Sequence, residues 1–393
     1  MDVRHEMKFR RVDALPPYVF ATVDALKRQL RREGRDVIDL GFGNPDIPSP
    51  EIAVEKLVEA AQKPANHRYS ASRGIPNLRE AACELYERRF GVTLDPERQV
   101  VSTIGAKEGL AHLMWVLVEP GDVAVVPTPS YPIHLVAPRL AGAVVVAAPI
   151  DVEAVDAIED AVLSARPAPR AVIVSFPHNP TTATATPELM QRLVDLARER
   201  EFVLVHDFAY ADIAFDGHDP PSVLQAEGAD ECAVELYSLT KSFSMAGWRV
   251  GFVLGRADVV EALAKLKSYL DYGTFQPIQI ASIVALRQAS DYPLEVCEIY
   301  RARRDALCSG LARAGWIVPP PRGTMFVWAP IPERFRDLGS LEFALRLARD
   351  AEVAVSPGIG FGEGGDGHVR FALVENEHRI AQATRAIRRL LNE

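Results

Sequence analysis

The chain has 393 residues, of which 48% are apolar and 25% charged. Hydrophobic cores usually stop growing near ~250–300 residues, so this length predicts two or three domains at ~150 residues each, and the apolar content excludes a disordered polymer. Lys and Arg number 44 against 53 Asp and Glu, a net charge of −9, which excludes the broadly basic surface that nucleic acid or an anionic membrane would attract, though not a small local anion site.

In chain order, residues 11–33 place Val19, Phe20, Val23, Leu26 and Leu30 at helical spacing, with Gly34 as the stop. Residues 37–40 read as a short strand and 41–46 as a turn. From residue 100 short β-branched runs alternate with helical segments: strands are predicted over 100–103, 123–126, 144–148, 171–176, 202–206, 232–237 and 249–254, and a helix over 106–118. Continuous apolar strands alternating with helices predict a parallel sheet covered on both faces. The pattern changes near residue 280. A long helix over 278–314, strands over 316–318, 325–328, 353–356 and 368–372, a helix over 340–349 and a final helix predict a smaller α+β unit. The longest apolar stretch, 140–150, is well short of the ~20 residues of a membrane span and reads as a buried strand with its flanks. The N-terminus has no apolar run of a secretory leader, and Cys83, Cys232, Cys297 and Cys308 form no C-x-x-C pair. A cytoplasmic protein with reduced thiols is the expectation.

Several chemistries are missing from the sequence. It holds no G-x-S-x-G, H-E-x-x-H or Walker A pattern, and its nine histidines do not cluster with cysteines at metal-ligand spacing. The glycine-rich run 358–365 has no helix after it and reads as a flexible loop, not a dinucleotide fingerprint.

The informative residues sit at successive strand ends. The segment 237–251 leaves one strand and enters another, carrying Ser238, Lys241 and Arg249. A lysine just past a buried strand end can be desolvated into a nucleophile, and a hydroxyl with a guanidinium can hold a phosphate. A solvated lysine beside an ion-paired arginine explains the same segment equally well. Asp207 ends the 202–206 strand, where α/β proteins bind ligands, although a helix-capping role would also place an Asp there. Asn179 lies in an Asn-Pro turn after another strand. Gly105, Ala106 and Lys107 join a strand to a helix, an arrangement whose backbone N–H groups bind phosphate. Tyr131 follows a further strand. An amine, a carboxylate, an amide, a phosphate cradle and an aromatic plate together suit pyridoxal 5'-phosphate.

The motifs LGFGNPD (40–46), YSASRGIPNLREA (69–81), STIGAKEGL (102–110), PTPSYP (127–132), FPHNPTT (176–182), HDFAYADIAFDG (206–217), YSLTKSFSMAGWRVGF (237–252) and VRFAL (369–373) span nearly the whole chain. In that order and spacing the sequence resembles the fold-type I, class I/II aminotransferases. Within them PPYVFATVDALK near the N-terminus and LKSYLDYGTFQPIQIA (266–281) resemble the bacterial glutamate–pyruvate (alanine) transaminases, with diaminopimelate aminotransferases also similar.

The resemblance implies an α/β fold: a large cofactor domain, 45–280, with a mainly parallel central sheet flanked by helices, and a smaller α+β domain from 1–44 with 281–393. It implies that Lys241 forms the Schiff base with pyridoxal 5'-phosphate and moves the substrate proton. Asp207 would keep the pyridine nitrogen protonated, and Tyr210 and Asn179 would hydrogen-bond the ring oxygen. Tyr131 would stack on the ring. Gly105, Ala106, Lys107, Ser238 and Arg249 would hold the phosphate, with Tyr69 reaching it from a neighbouring subunit of a homodimer. Arg370 would grip the substrate α-carboxylate, and Gly43 would pack against it. The substrates implied are an amino acid and a 2-oxo acid, most simply L-alanine and 2-oxoglutarate, without a metal. Other specificities (diaminopimelate, aspartate, methionine or aromatic) and a C–S lyase on the same cofactor are the alternatives. A cofactor-sensing regulator would need a basic DNA-binding segment ahead of this pattern, which starts within the first twenty residues. No second arginine matches the one that dicarboxylate-specific relatives use, which directs attention to Thr274 and Gln276. Trp248 and Met245 read as packing, and His178 and His206 as supporting hydrogen-bonders. Tyr18 and Tyr272 lie where a substrate could touch them.

Overall fold

The computed structural model describes residues 8–150 and 154–392. After a two-residue strand β1 (Ile38–Asp39), the chain builds a seven-stranded sheet from β2 (Val100–Thr103), β3 (Val123–Thr128), β4 (Val144–Pro149), β5 (Pro169–Val174), β6 (Val203–Asp207), β7 (Ala233–Ser238) and β8 (Gly251–Gly255). The order is β2-β8-β7-β6-β5-β3-β4, and β8 runs antiparallel to both its neighbours while the remaining pairs are parallel. Strand side chains alternate between faces. Val101, Val126, Ile173, Val205 and Val253 enter one apolar cluster with the helices Ala106–Leu117 and Ala257–Leu270. Val125, Val172, Val174 and Leu204 enter another with the helix Pro187–Arg200. Burial on both faces explains why these strands read as continuous apolar runs.

A separate core lies beyond the sheet. It gathers Val23, Leu30, Ile38 and Leu40 from the N-terminal part with Val296, Leu307, Phe343, Leu347, Phe371 and Ile387 from the C-terminal part. Here β9 (Phe326–Pro330), β11 (Ser356–Pro357) and β12 (His368–Ala372) form an antiparallel sheet of order β11-β12-β9, and β10 (Val353–Ala354) pairs in parallel with β1.

Besides 353–356, expected as one strand and split here into β10 and β11, four elements differ from the sequence expectation. The helix expected over 11–33 is two, Arg10–Asp13 and Phe20–Arg32, separated by Pro16 and Pro17, which cannot donate the helical hydrogen bonds. The helix expected over 278–314 is also two. Gln276–Gln288 packs on the helix Glu51–Ala61, and Tyr292–Arg313 packs on Glu377–Asn392. Pro293 marks the second start, and residue 280 falls inside the first helix. No strand forms at 316–318, where three prolines follow at 319–321; Trp316 is instead buried and its indole N–H donates to the Pro330 carbonyl at 2.8 Å. Residues 358–365 are a close-packed turn and not an open loop: a Cβ on Gly358 would lie 1.9 Å from the Gly365 carbonyl oxygen.

Candidate active site

The carboxyl ends of β2, β3, β5, β6 and β7 lie on one rim of the sheet, where open α/β sheets bind ligands. Strand β8 runs the other way, so its beginning reaches that rim and brings Arg249 beside Ser238. Parity then fixes what β6 presents. Val205 and Asp207 share the face of the helix Pro132–Ala141, while His206 points to the opposite face.

Asp207 is buried, and its Oδ2 lies 2.8 Å from Nε2 of His134, one turn into that helix. His134 Nδ1 lies 2.8 Å from Ser130 Oγ, and the Ser130 N–H donates to the Phe361 carbonyl at 2.8 Å. Asp207 is thus held in one orientation, with the Ala209 N–H donating to its Oδ1 at 3.3 Å. Tyr131 meets His134 edge-on at 5.9 Å between ring centres, and the Lys107 ammonium lies 5.8 Å from the Tyr131 ring. Burial, with Asp207 as the next cause, pushes the Tyr131 hydroxyl up.

Lys241 sits on the one-turn helix Leu239–Ser242 directly after β7. Its Nζ donates to the Gly43 carbonyl at 2.7 Å. Burial pushes this amine down from 10.5 to about 7, helped by the positive charges of Arg370 and Arg249. A substantial fraction is therefore unprotonated near neutral pH, the state a nucleophilic amine needs.

Arg370 lies in the middle of β12, paired with Trp328 of β9 and Ser356 of β11. The side chain is buried. It donates from Nη1 to Asn179 Oδ1 at 2.7 Å and from Nη2 to the Gly41 carbonyl at 3.2 Å and Ser356 Oγ at 3.3 Å. Its guanidinium lies 3.9 Å from the Phe326 ring centre and 4.7 Å from that of Phe361. Its Nε has no hydrogen-bond partner among the described residues, and burial lowers it to about 10. Asn179 Nδ2 donates in turn to the Tyr210 hydroxyl at 3.3 Å, and burial pushes that phenol well up. Gly43 passes so close to Phe326 that a Cβ there would meet the ring at 2.6 Å.

Gly105 precedes the helix Ala106–Leu117 with φ +78°, and a Cβ there would lie 2.2 Å from Arg249 Nη2. Arg249 also has φ +59° and donates to the Ala246 carbonyl at 2.9 Å and that of Ile104 at 3.4 Å. Ser238 is buried and accepts from the Thr240 N–H at 3.2 Å. Free helix-start N–H groups, a hydroxyl and a guanidinium form an anion-binding corner.

Tyr69 stands apart from these groups. It is 85% exposed and its ring lies 4.5 Å from that of Tyr272, itself 59% exposed. Thr274 donates to the Arg249 carbonyl at 3.4 Å, and Gln276 to Asn66 at 3.3 Å. His178 bonds Thr181, and burial lowers it to about 3; His206 bonds the buried Glu235 at 2.7 Å. Met245 is buried, with Trp248 packed on the same cluster. All four cysteines are free. His134, Ser130, Phe326 and Phe361 were missed in the sequence. The signal for His134 was its place in the first turn of the helix that starts at the end of the strand-end PTPSYP motif.

The site can hold an anion at one end, a carboxylate at Arg370 and a reactive amine between them. A family model described as aminotransferase class I and II matches residues 35–390. The glutamate-pyruvate aminotransferase AlaC of Escherichia coli (strain K12) is 50% identical over 390 residues, covering 98% of this chain and 94% of that one. An LL-diaminopimelate aminotransferase of Desulforudis audaxviator (strain MP104C) is 42% identical over 381 residues, covering 96% of each. A solved single mutant of Thermus thermophilus aspartate aminotransferase superposes with a TM-score of 0.90 at 30% identity, covering 98% of this chain and 100% of that one.

Proposed function

The chain belongs to the class I and II aminotransferases, enzymes that work with pyridoxal 5'-phosphate, and from that premise we propose that it exchanges an amino group between L-alanine and 2-oxoglutarate in two half-reactions. The observation that carries this choice of substrates is the 50% identity to a glutamate-pyruvate aminotransferase over nearly the whole chain. A second reading, LL-diaminopimelate as donor, is favoured by the 42% identity to an enzyme of that name.

The residues present fit the cofactor. The space between Gly105 and Arg249 would be filled by a Cβ, the amine of Lys241 is lowered to about 7, and a carboxylate held by a histidine faces the same rim. When bound, pyridoxal 5'-phosphate supplies a ring that takes up the electrons left on the substrate Cα. In our reading Gly105, Ala106, Lys107, Ser238 and Arg249 hold its phosphate. Asp207, fixed by His134, keeps a proton on the ring nitrogen. Tyr131 covers one ring face, and Tyr210 with Asn179 donates to the ring oxygen. Lys241 would take the proton from the substrate Cα, which its lowered basicity allows near neutral pH. Arg370 holds the substrate carboxylate in a bidentate fork beside Gly43, and this orients the Cα–H bond for removal.

The large domain, 45–280, and the small one, 1–44 with 281–393, are our division, supported by the separate apolar cores; Gln276–Gln288 belongs by packing with the large one. Tyr69, exposed in one chain beside Tyr272, would complete the site of a second copy in a homodimer. No helix among the described residues is long and apolar enough to cross a membrane, and a cytoplasmic place is part of the proposal.

The test mixes the yellow holoenzyme with single amino acids and follows loss of the bound-cofactor absorbance. Fast bleaching by alanine and glutamate supports the assignment. Bleaching by LL-diaminopimelate but by neither of these replaces it with the second reading.

A further inference from the structure

A half-buried charge cluster around the buried Lys267 sits behind the phosphate corner and outside the residues assigned above. Glu108 is the third residue of the helix Ala106–Leu117. Its Oε2 accepts the Ile104 N–H at 2.7 Å, and its Oε1 accepts from Lys267 Nζ at 3.0 Å. Lys267, on the helix Ala257–Leu270, has a fully buried side chain and donates also to Asp271 Oδ2 at 3.0 Å. Asp271 Oδ1 accepts the Gly273 N–H at 2.6 Å, and the next residue, Thr274, donates to the Arg249 carbonyl at 3.4 Å. His112 Nδ1 lies 2.5 Å from Glu108 Oε1. Glu108, His112 and Asp271 offer ligand atoms within 4.8 Å of one another, a spacing that suits a cation. The lysine ammonium bonds two of the three and takes the cation's place.

The charge at Glu108 has a consequence for the neighbouring corner. A carboxylate in the first turn of a helix is favoured by the helix dipole, and it occupies the field that a bound phosphate would use. The backbone of Ile104 joins both: its N–H goes to Glu108, and its carbonyl accepts from Arg249. Unneutralised, Glu108 would repel a phosphate dianion at the adjacent Gly105–Lys107 turn. We propose that Lys267 is a positioning residue that neutralises Glu108, so that this turn accepts the cofactor phosphate while Asp271 and Thr274 stay tied to Arg249. The inference rests on the reading of Gly105, Ala106, Lys107 and Arg249 as the phosphate cradle.

The test titrates apo forms of the full chain with pyridoxal 5'-phosphate and with pyridoxal, which lacks the phosphate, and reads Kd from absorbance. Lys267→Met is expected to raise the Kd for pyridoxal 5'-phosphate about tenfold or more and to leave that for pyridoxal unchanged. Glu108→Gln in the same chain keeps an acceptor for Ile104 and removes the charge, so the double variant regains most of the lost affinity. Glu108→Gln alone binds at least as tightly as the natural chain, which keeps the question open to test even if Lys267→Met fails to fold. Equal weakening for both ligands, no rescue in the double variant, or weaker binding by Glu108→Gln alone overturns the proposal. Arg249→Gln separates the two readings. Weakened binding there with none in Lys267→Met overturns only the role of Lys267, and no weakening in either overturns the cradle as well.

Discussion

Replacing Arg370 by methionine separates what this residue does for the substrate from what it costs the fold. The guanidinium is buried with hydrogen bonds to Asn179, Gly41 and Ser356, and among the described residues it has no carboxylate in ion-pair contact and no partner for its Nε. Losing one member of a desolvated, hydrogen-bonded charge pair costs about 2–5 kcal/mol. For a substrate carboxylate this corresponds to a fall of about 30- to several-thousand-fold in kcat/KM at about 1.4 kcal/mol per tenfold. The apo protein should not lose stability in proportion, because an uncompensated buried charge is exchanged for an apolar side chain of similar length. Lys241 should respond too. Burial is the largest cause of its lowered basicity and Arg370 the next, so removing that positive charge moves the amine upward from about 7. Less of it is then neutral at pH 7. The assay pairs steady-state kinetics with the pH dependence of amine-reagent labelling, mapped to Lys241 by mass spectrometry, and with thermal unfolding of the apo chain. A loss in kcat/KM below about tenfold, against the 30-fold floor of such pairs, would refute the carboxylate role. A labelling midpoint that stays put or moves down would refute the electrostatic coupling.

Asp207→Ala should lose cofactor affinity and turnover together, and His134→Leu should retain the cofactor but react more slowly, since it removes only the group orienting the carboxylate; equal losses, read by cofactor titration and kcat, would contradict that order. Gly105→Ala places a Cβ 2.2 Å from Arg249 Nη2 at a φ of +78°, so cofactor affinity should fall about 5- to 150-fold, by about 1–3 kcal/mol for a strained left-handed residue; unchanged binding would contradict the cradle. Mixing Tyr69→Phe with Lys241→Ala chains tests the shared site. A mixed dimer carries one intact site if Tyr69 serves its neighbour, so activity above that of either variant alone is expected, and a fully active monomer at low concentration would contradict it.

Much of the sheet was legible because its strands are buried on both faces and read as unbroken β-branched runs bounded by turns. Lys241, Asp207, Asn179 and Arg249 were legible for a related reason: each stands within a few residues of a strand on the rim side, where sequence position and site position coincide. The small unit was harder. Its strands are two to five residues long, and 353–356, read as one strand, serves two sheets, with β10 pairing β1 and β11 pairing β12. The break at 289–291 has no Gly or Pro within it, and only Asp291 at the cap with Pro293 shortly after signals a new start. His134 was hidden because its partner Asp207 is 73 residues away, a contact made by the parity of β6 and not by local pattern. The glycine run misled for the opposite reason. Its glycines allow the backbone of 358 and 365 to touch, which holds Phe361 against Arg370.

Amino transfer from L-alanine to 2-oxoglutarate through Lys241 carries a direct isotopic signature. Incubating the holoenzyme with ¹⁵N-alanine and unlabelled 2-oxoglutarate tests it most directly. ¹⁵N should appear in the α-amino group of glutamate with matching pyruvate, and Lys241→Ala should show no catalytic transfer. Label released as ammonia, label absent from glutamate, or sustained transfer by Lys241→Ala would contradict it.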